Sequence, residues 1–276
     1  MAERRTDRLA VKAEVKVEFG AASHIGCVRT ENQDSWGKFP RETLDVNHPK
    51  GLLFLVADGM GGHQAGKVAS ELAVSAVSEC YFKDDDQDAG RSLLKSFQLA
   101  NGQIHEKSMT DESYAGMGTT CTALVVRSTD MHIAHVGDSR VYRVRRNQMD
   151  QLTTDHSRIA ALYRQGFLTK EEAQSHPERS LIYRALGVRP HVDVDTLEET
   201  LRWNDIHFVL CSDGLTTHVS DDEINRELLS HSPQQACDAL VHIVNTRGGT
   251  DNVTVLVVHV SKARRFGFSS WRMARQ

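Results

Sequence analysis

Residues 54–66 read FLVADGMGGHQAG: an apolar run, then a carboxylate at Asp58, then glycines at 59, 61, 62 and 66. Such a loop can hold a phosphate with its backbone or a metal with its carboxylate, because glycine lets bare backbone approach a charged ligand. A Walker loop would close on Gly-Lys-Ser/Thr, but here Gly66 and Lys67 are followed by Val68. A dinucleotide fingerprint fails at Gln64, where its third glycine belongs. Taken alone, the stretch reads as a strand followed by a tight turn, since Asp-Gly is a common turn dipeptide.

Working outward, Val11, Ala13, Val15, Val17 and Phe19 alternate with charged residues before Gly20, which predicts a half-buried strand ending at that glycine. Residues 52–57 are continuously apolar, as in a strand buried on both faces. Helical spacing follows from Ala65 to Cys80 and again from Leu93 to beyond Ile104, with the acidic stretch KDDDQDAG read as a solvated loop between them. TCTALVV, MHIAHVG, RVYRVR, HFVLCS and NVTVLVVHV predict strands, and residues 159–164 and 170–174 short helices. Ser220 with Glu223, and Ser232 with Pro233 and Gln235, look like capped helix starts. Strands following strands and helices arriving in pairs predict an α+β fold of antiparallel sheets with helices packed outside, not a doubly wound parallel sheet.

The chain has 276 residues, 39% hydrophobic and 25% charged, which suits a globular protein with a sizeable core. A net charge of −4 argues against binding nucleic acid through bulk positive charge. The five cysteines are scattered without a Cys-x-x-Cys pair, which argues against structural zinc and for reduced thiols in a cytoplasmic protein. The charged N-terminus does not read as a signal peptide, and no run approaches the ~18 apolar residues of a membrane span.

Four carboxylates share one context. Asp58, Asp138 and Asp213 each follow an apolar strand, and Asp251 precedes one, always beside Gly, Ser or Asn. Each alone reads as a turn residue, but strand ends can converge on one edge of a sheet. Clustered carboxylates repel and partly protonate unless a cation joins them. All-oxygen ligands select Mg²⁺ or Mn²⁺, and two such ions about 3.5–4 Å apart can activate one water.

Eight segments in order carry a resemblance: GCVRTENQDSWG, VADGMGGHQAG, GTTCTALVV, AHVGDSRVYR, LTTDHS, HPERSLIYRALG, VLCSDGLT and TDNVTVLVV. Over about residues 18–260 the chain resembles the metal-dependent, type-2C serine/threonine protein phosphatases, most closely the compact bacterial members. The resemblance implies one catalytic domain over residues 1–260 with a flexible extension at 1–10, and a four-layer αββα sandwich of two antiparallel sheets with helices on both outer faces. It implies a cleft holding two Mn²⁺ or Mg²⁺ ions. There Asp58 bridges both metals, Gly59 gives its carbonyl, Asp213 and Asp251 complete one shell, and Asp138 serves a third, weaker ion. Arg29 matches the arginine that clamps the substrate phosphate. The implied reaction is hydrolysis of phosphoserine or phosphothreonine in protein substrates by a metal-bridged hydroxide, opposing a cognate Ser/Thr kinase, in a monomer. On this reading the opening loop holds a metal.

Two positions depart from the family pattern. Gln33 stands where many members have Glu, which lowers the expected affinity for the second metal; Asp34 beside it remains ionisable and is a further candidate ligand. Met60 stands where the animal enzymes have a histidine credited as general acid, so water or another group must protonate the leaving oxygen, with His63 a candidate. Residues 157–186 resemble the family's mobile flap beside the cleft, and His156 and His176 receive no catalytic role. The tail 261–276, with four arginines, a lysine and three aromatics, reads as unstructured. A binding module with a dead site would have lost metal carboxylates, and all four are present. A small-molecule phosphoesterase finds no supporting motif.

Overall fold

In the computed structural model, which describes residues 15–62, 64–146, 148–201 and 205–262, the apolar run is part of strand β3 (Leu52–Met60). Alternate residues of a strand face opposite ways. Leu53, Leu55 and Ala57 therefore pack against helices, while Leu52, Phe54 and Val56 pack against a second sheet, and all six are fully buried. That two-sided burial is why the run shows no polar alternation. The parity carries on, so Asp58 follows Leu52, Phe54 and Val56 onto the inter-sheet face. It does not end the strand: Gly59 and Met60 continue it, paired with Thr119 and Gly118 of the short β4 (Gly118–Thr119).

The first sheet runs β2 (Asp34–Phe39), β3, β5 (Cys121–Arg127), β6 (Asp130–Val136) and β9 (Asp195–Thr200). The second runs β1 (Val15–His24), β11 (Val253–Lys262), β10 (Ile206–Cys211), β7 (Arg140–Arg145) and β8 (Gln148–Gln151). Every pairing in both is antiparallel. Helices α1 (Ala65–Lys83) and α2 (Ala89–Thr110) cover the outer face of the first sheet through Ala69, Ala73, Val77, Leu93 and Phe97. The second sheet is covered by α5 (Asp213–Thr216), α6 (Asp221–Ser230) and α7 (Pro233–Thr246) through Leu215, Ile224, Leu240 and Val244. The expected αββα sandwich is therefore present. Phe54, Phe208, Leu256 and Val258 form its middle, each such buried side chain contributing about 1.5–3 kcal/mol. Two short helices, α3 (Arg158–Arg164) and α4 (Lys170–Ser175), belong to the flap segment.

Several boundaries differ from expectation. β1 passes through Gly20 instead of stopping there; a Cβ at Gly20 would lie 2.3 Å from the backbone nitrogen of Gln234, so the glycine serves the approach of α7. The acidic loop is more than a solvated run: Asp88 caps α2 by accepting the N–H of Arg91, Asp86 pairs with Arg91 and Asp84 with Lys95. Ser261 and Lys262, read as tail, extend β11 and pair with Lys16 and Val15. Residues 1–14, His63 and 263–276 lie outside the described residues, and with them the N-terminal extension, the candidate proton donor and the rest of the tail. Among the described residues no helix is long and apolar enough to cross a membrane.

Candidate metal centre

Asp58 emerges at one end of the sandwich, between the sheets. Its backbone is fixed by β5's approach: its N–H donates to Thr120 Oγ1 (2.8 Å), and its carbonyl accepts from the Thr120 N–H and the Thr119 hydroxyl (each 2.9 Å). Gly59 is required by close packing. A Cβ there would sit 2.0 Å from the Gly66 carbonyl oxygen, so any side chain would push α1 off the strand.

Three other segments bring acids to the same place. Asp138 lies in the β6–β7 connection, just after Gly137 at φ +114°, a left-handed conformation that favours glycine. Asp213 opens α5 at the end of β10, and Gly214 lets it close on the neighbouring turn, where a Cβ would meet the Asn252 carbonyl at 1.9 Å. Asp251 precedes β11. Arg29, on the loop between β1 and β2, donates from Nη2 to Asp251 Oδ2 at 2.8 Å. Arg29, Asp58, Gly59, Asp138, Asp213 and Asp251 all line one cavity of about 260 Å³, together with Gln33, Met60 and Asn252. Six of the seven sequence-predicted site residues thus meet across 222 positions of chain.

The seventh, Asp34, is the cross-strand neighbour of Asp58 and shares its face, but it is buried behind the cavity wall. Its Oδ2 accepts the Ser212 hydroxyl at 2.8 Å, while its Oδ1 is buried with no hydrogen-bond partner. Burial, reinforced by Asp213 and Asp251, raises its carboxyl to about 7 against the Ser212 hydroxyl. Burial also raises Asp58 well above the usual carboxylate range, with Asp34 and Asp213 adding to it. Asp138 is driven well up by burial and then by Asp213, with Arg140 opposing, and Asp213 is raised by burial and then by Asp251. The protein alone therefore cannot keep these carboxylates comfortably ionised. Arg140 is already engaged by Asp155 at 2.6–3.1 Å. The Arg29–Asp251 pair is about half exposed and contributes no more than about 1 kcal/mol, so Arg29 is easily drawn to another anion.

This donor set fits hard divalent cations. It is all oxygen and over-charged for its burial, and just behind it lies an orphaned buried carboxylate atom, Asp34 Oδ1. Among the described residues no three His, Cys, Asp or Glu side chains form a ready-made cage. The acids instead line walls with space between them, which suits Mg²⁺ or Mn²⁺ keeping part of its water shell.

Sequence reading missed the residue that ties the rim together. Asn252 donates from Nδ2 to the carbonyls of Ile25 and Glu31 (each 2.9 Å), and its Oδ1 accepts the Gln33 N–H at 2.8 Å. It thereby fixes the Arg29 loop beside Asp251. Thr120 and Ser212 were likewise read only as parts of strands. Gln33 presents its carbonyl to the N–H of Gly59 (3.2 Å) and the hydroxyl of Ser70 (2.6 Å), while its amide packs on Gly66.

Comparison with known proteins places the chain in a family. The family model described as Protein phosphatase 2C matches residues 22–252. The serine/threonine phosphatase stp of Listeria welshimeri is 40% identical over 238 residues, covering 84% of this chain and 92% of that protein. The protein phosphatase PhpP of Streptococcus pneumoniae is 34% identical over 251 residues, covering 89% and 98%. Among solved structures, the Mycobacterium tuberculosis serine/threonine phosphatase PstP/Ppp superposes with a TM-score of 0.77 at 35% identity, over 88% of this chain and 97% of that one. The catalytic domain of PstP in complex with two manganese ions gives 0.79 at 32% identity, over 90% and 100%. The chain belongs to the protein phosphatase 2C family of bacterial serine/threonine phosphatases.

Proposed function

We propose that the 260 Å³ cavity holds two divalent cations, Mn²⁺ or Mg²⁺, and that phosphoserine and phosphothreonine of protein substrates are hydrolysed there, reversing a Ser/Thr kinase. The observation that carries this reading is the convergence of Asp58, Asp138, Asp213 and Asp251 from four separate segments, with Arg29 at the rim. The PstP structure with two manganese ions supports the number of ions.

Asp58, the Gly59 carbonyl, Asp213 and Asp251 would hold the two ions, Asp58 being shared between them. Asp138 would serve a third, weaker ion, and Asp34 lies across the strand pair from Asp58. Bound there, such ions would supply a water made nucleophilic at neutral pH and would neutralise phosphoryl oxygens. The raised carboxyls must lose their protons to serve as ligands, so loading releases protons. Arg29 leaves Asp251 for the incoming phosphate, where its planar fork binds two oxygens and orients the ester. Asn252 keeps the Arg29 loop within reach. Met60 lines the cavity but its thioether has no proton to give, so the leaving oxygen takes its proton from water or from another group.

Phosphate release from a phosphothreonine peptide tests this reading. Turnover should require Mn²⁺ or Mg²⁺, stop with a chelator, and fall at least about a hundredfold in Asp213→Asn. Turnover unaffected by chelator, or kept by Asp213→Asn, would refute it.

A further inference from the structure

A second and larger cavity, about 580 Å³, opens beside the first and shares Asp138, Asp213 and Ser180 with it. The flap forms one wall, contributing Tyr163, Arg164, Lys170 and Arg179; the opposite wall comes from α5 and the start of α6. The flap closes on itself at its base and touches α6 at one point. Ser157 bridges to Ile182, the N–H of Tyr183 donates to the His156 carbonyl (2.8 Å), and Lys170 pairs with Asp221 of α6 (3.1 Å).

Most charges lining this cavity are committed elsewhere. Asp155 is taken by Arg140, Asp221 by Lys170, and Glu223 by Arg247 at 2.6 Å. Asp138 and Asp213 belong to the metal centre. What is left is Arg164 and Arg179, both exposed, whose side chains make no hydrogen bond or ion pair among the described residues. Two guanidiniums with no hydrogen bond or ion pair among the described residues thus line a space that adjoins the site of phosphoester hydrolysis, Arg179 acting on Asp213 through its field alone, and Tyr163 adds an exposed aromatic ring to the same lining. A substrate chain presenting its phosphoresidue to the first cavity must run its next residues past this one, advancing about 3.3 Å per residue when extended.

Resting on the phosphatase reading above, we infer that this cavity is a second anion subsite. It receives an acidic side chain, or a second phosphate, carried by the substrate polypeptide within a few residues of the one being dephosphorylated, and Arg164 and Arg179 hold it. Guanidinium suits either group, because its fork matches carboxylate and phosphate oxygens alike. The subsite gives the enzyme a preference among phosphoproteins that the metal centre, which sees only a phosphomonoester, cannot supply.

The test uses three phosphothreonine peptides that differ only in the residues flanking the phosphothreonine: glutamine, glutamate, or a non-hydrolysable phosphonate mimic of phosphoserine. Each is assayed with the Mn²⁺-loaded protein as wild type, as the Arg164→Gln/Arg179→Gln double variant, and as the corresponding double Lys variant. The readout is the ratio of kcat/KM for each anionic peptide over the glutamine peptide within one preparation, which does not depend on how much of that preparation is active. For wild type the ratio should be about five- to thirtyfold, equivalent to about 1–2 kcal/mol and expressed mainly in KM. It should fall below about twofold in the Gln variant and be partly retained in the Lys variant. The larger of the two wild-type ratios tells whether carboxylate or phosphate is the preferred occupant. A wild-type ratio near one, or a ratio that survives in the Gln variant, overturns the inference. Turnover of para-nitrophenyl phosphate reads the metal centre alone: its loss in wild type would sink the phosphatase reading itself, whereas its presence with a ratio of one sinks only the subsite.

Discussion

Replacing Asn252 with alanine should lower stability and loosen the proposed hold of Arg29 on substrate phosphate. The side chain is 6% exposed and makes three hydrogen bonds of 2.8–2.9 Å, two to carbonyls of the loop that carries Arg29 and one from the Gln33 N–H. Alanine removes all three partners at once. At about 0.5–1.5 kcal/mol for each bond, and with some recovery from water reaching the rim, the loss comes to about 2–3 kcal/mol. Urea denaturation in chelator measures this without interference from metal binding. Once the staple is gone, the loop no longer holds Arg29 beside Asp251, so kcat/KM for a phosphopeptide should fall about ten- to a hundredfold. Arg29→Ala should then cost much less in the Asn252→Ala background than in wild type, because the two changes remove parts of one device. A stability change below about 0.5 kcal/mol, together with additive effects of the two substitutions on kcat/KM, would refute the reasoning.

The raised acid cluster sets the pH dependence of the metal-free protein. Asp34 binds its proton more tightly folded, at about 7, than at its ordinary value of 3.8, so the native state holds more protons through that window and stability falls as pH rises across it. The span of about 3 units caps the loss at about 4 kcal/mol, and Asp34→Asn should flatten the fall; urea midpoints in chelator between pH 4.5 and 8 check this, and a rising or flat wild-type curve contradicts it. Gly214→Ala places a Cβ 1.9 Å from the Asn252 carbonyl and should cost about 1–3 kcal/mol in the same denaturation assay while weakening Mn²⁺ binding, whereas an unchanged midpoint would mean the close approach is not needed.

How much of this was legible in the sequence depended on burial. Strands packed on both faces, such as β3, β5 and β11, announce themselves as apolar runs, and the capped starts of α6 and α7 were visible because a capping box is a local device. β8, as QMDQ, and β9, as DTLEET, left no such signal: they lie at sheet edges with polar, largely exposed side chains. β2 was hidden by its glycine and lysine. Gly20 misled because its reason lies more than 200 positions away, in the backbone of α7. The four aspartates were found by their shared context beside strands, but their convergence is a matter of register: the parity of β3 turns Asp58 to the inner face, and Gly214 and Asn252 close the turns that hold Asp213 and Asp251. Asn252 itself carries no local mark, since its three partners sit on a loop some 220 residues earlier.

The most direct test of the metal centre is the stoichiometry of Mn²⁺ binding by titration calorimetry at neutral pH, in wild type and Asp58→Asn, with both proteins first checked for native circular dichroism. The account predicts two ions per chain for wild type, with proton release that scales with buffer ionisation enthalpy, and loss of at least one ion and most of the affinity in Asp58→Asn. No binding by folded wild type, or the same two ions bound equally well by Asp58→Asn, would contradict it.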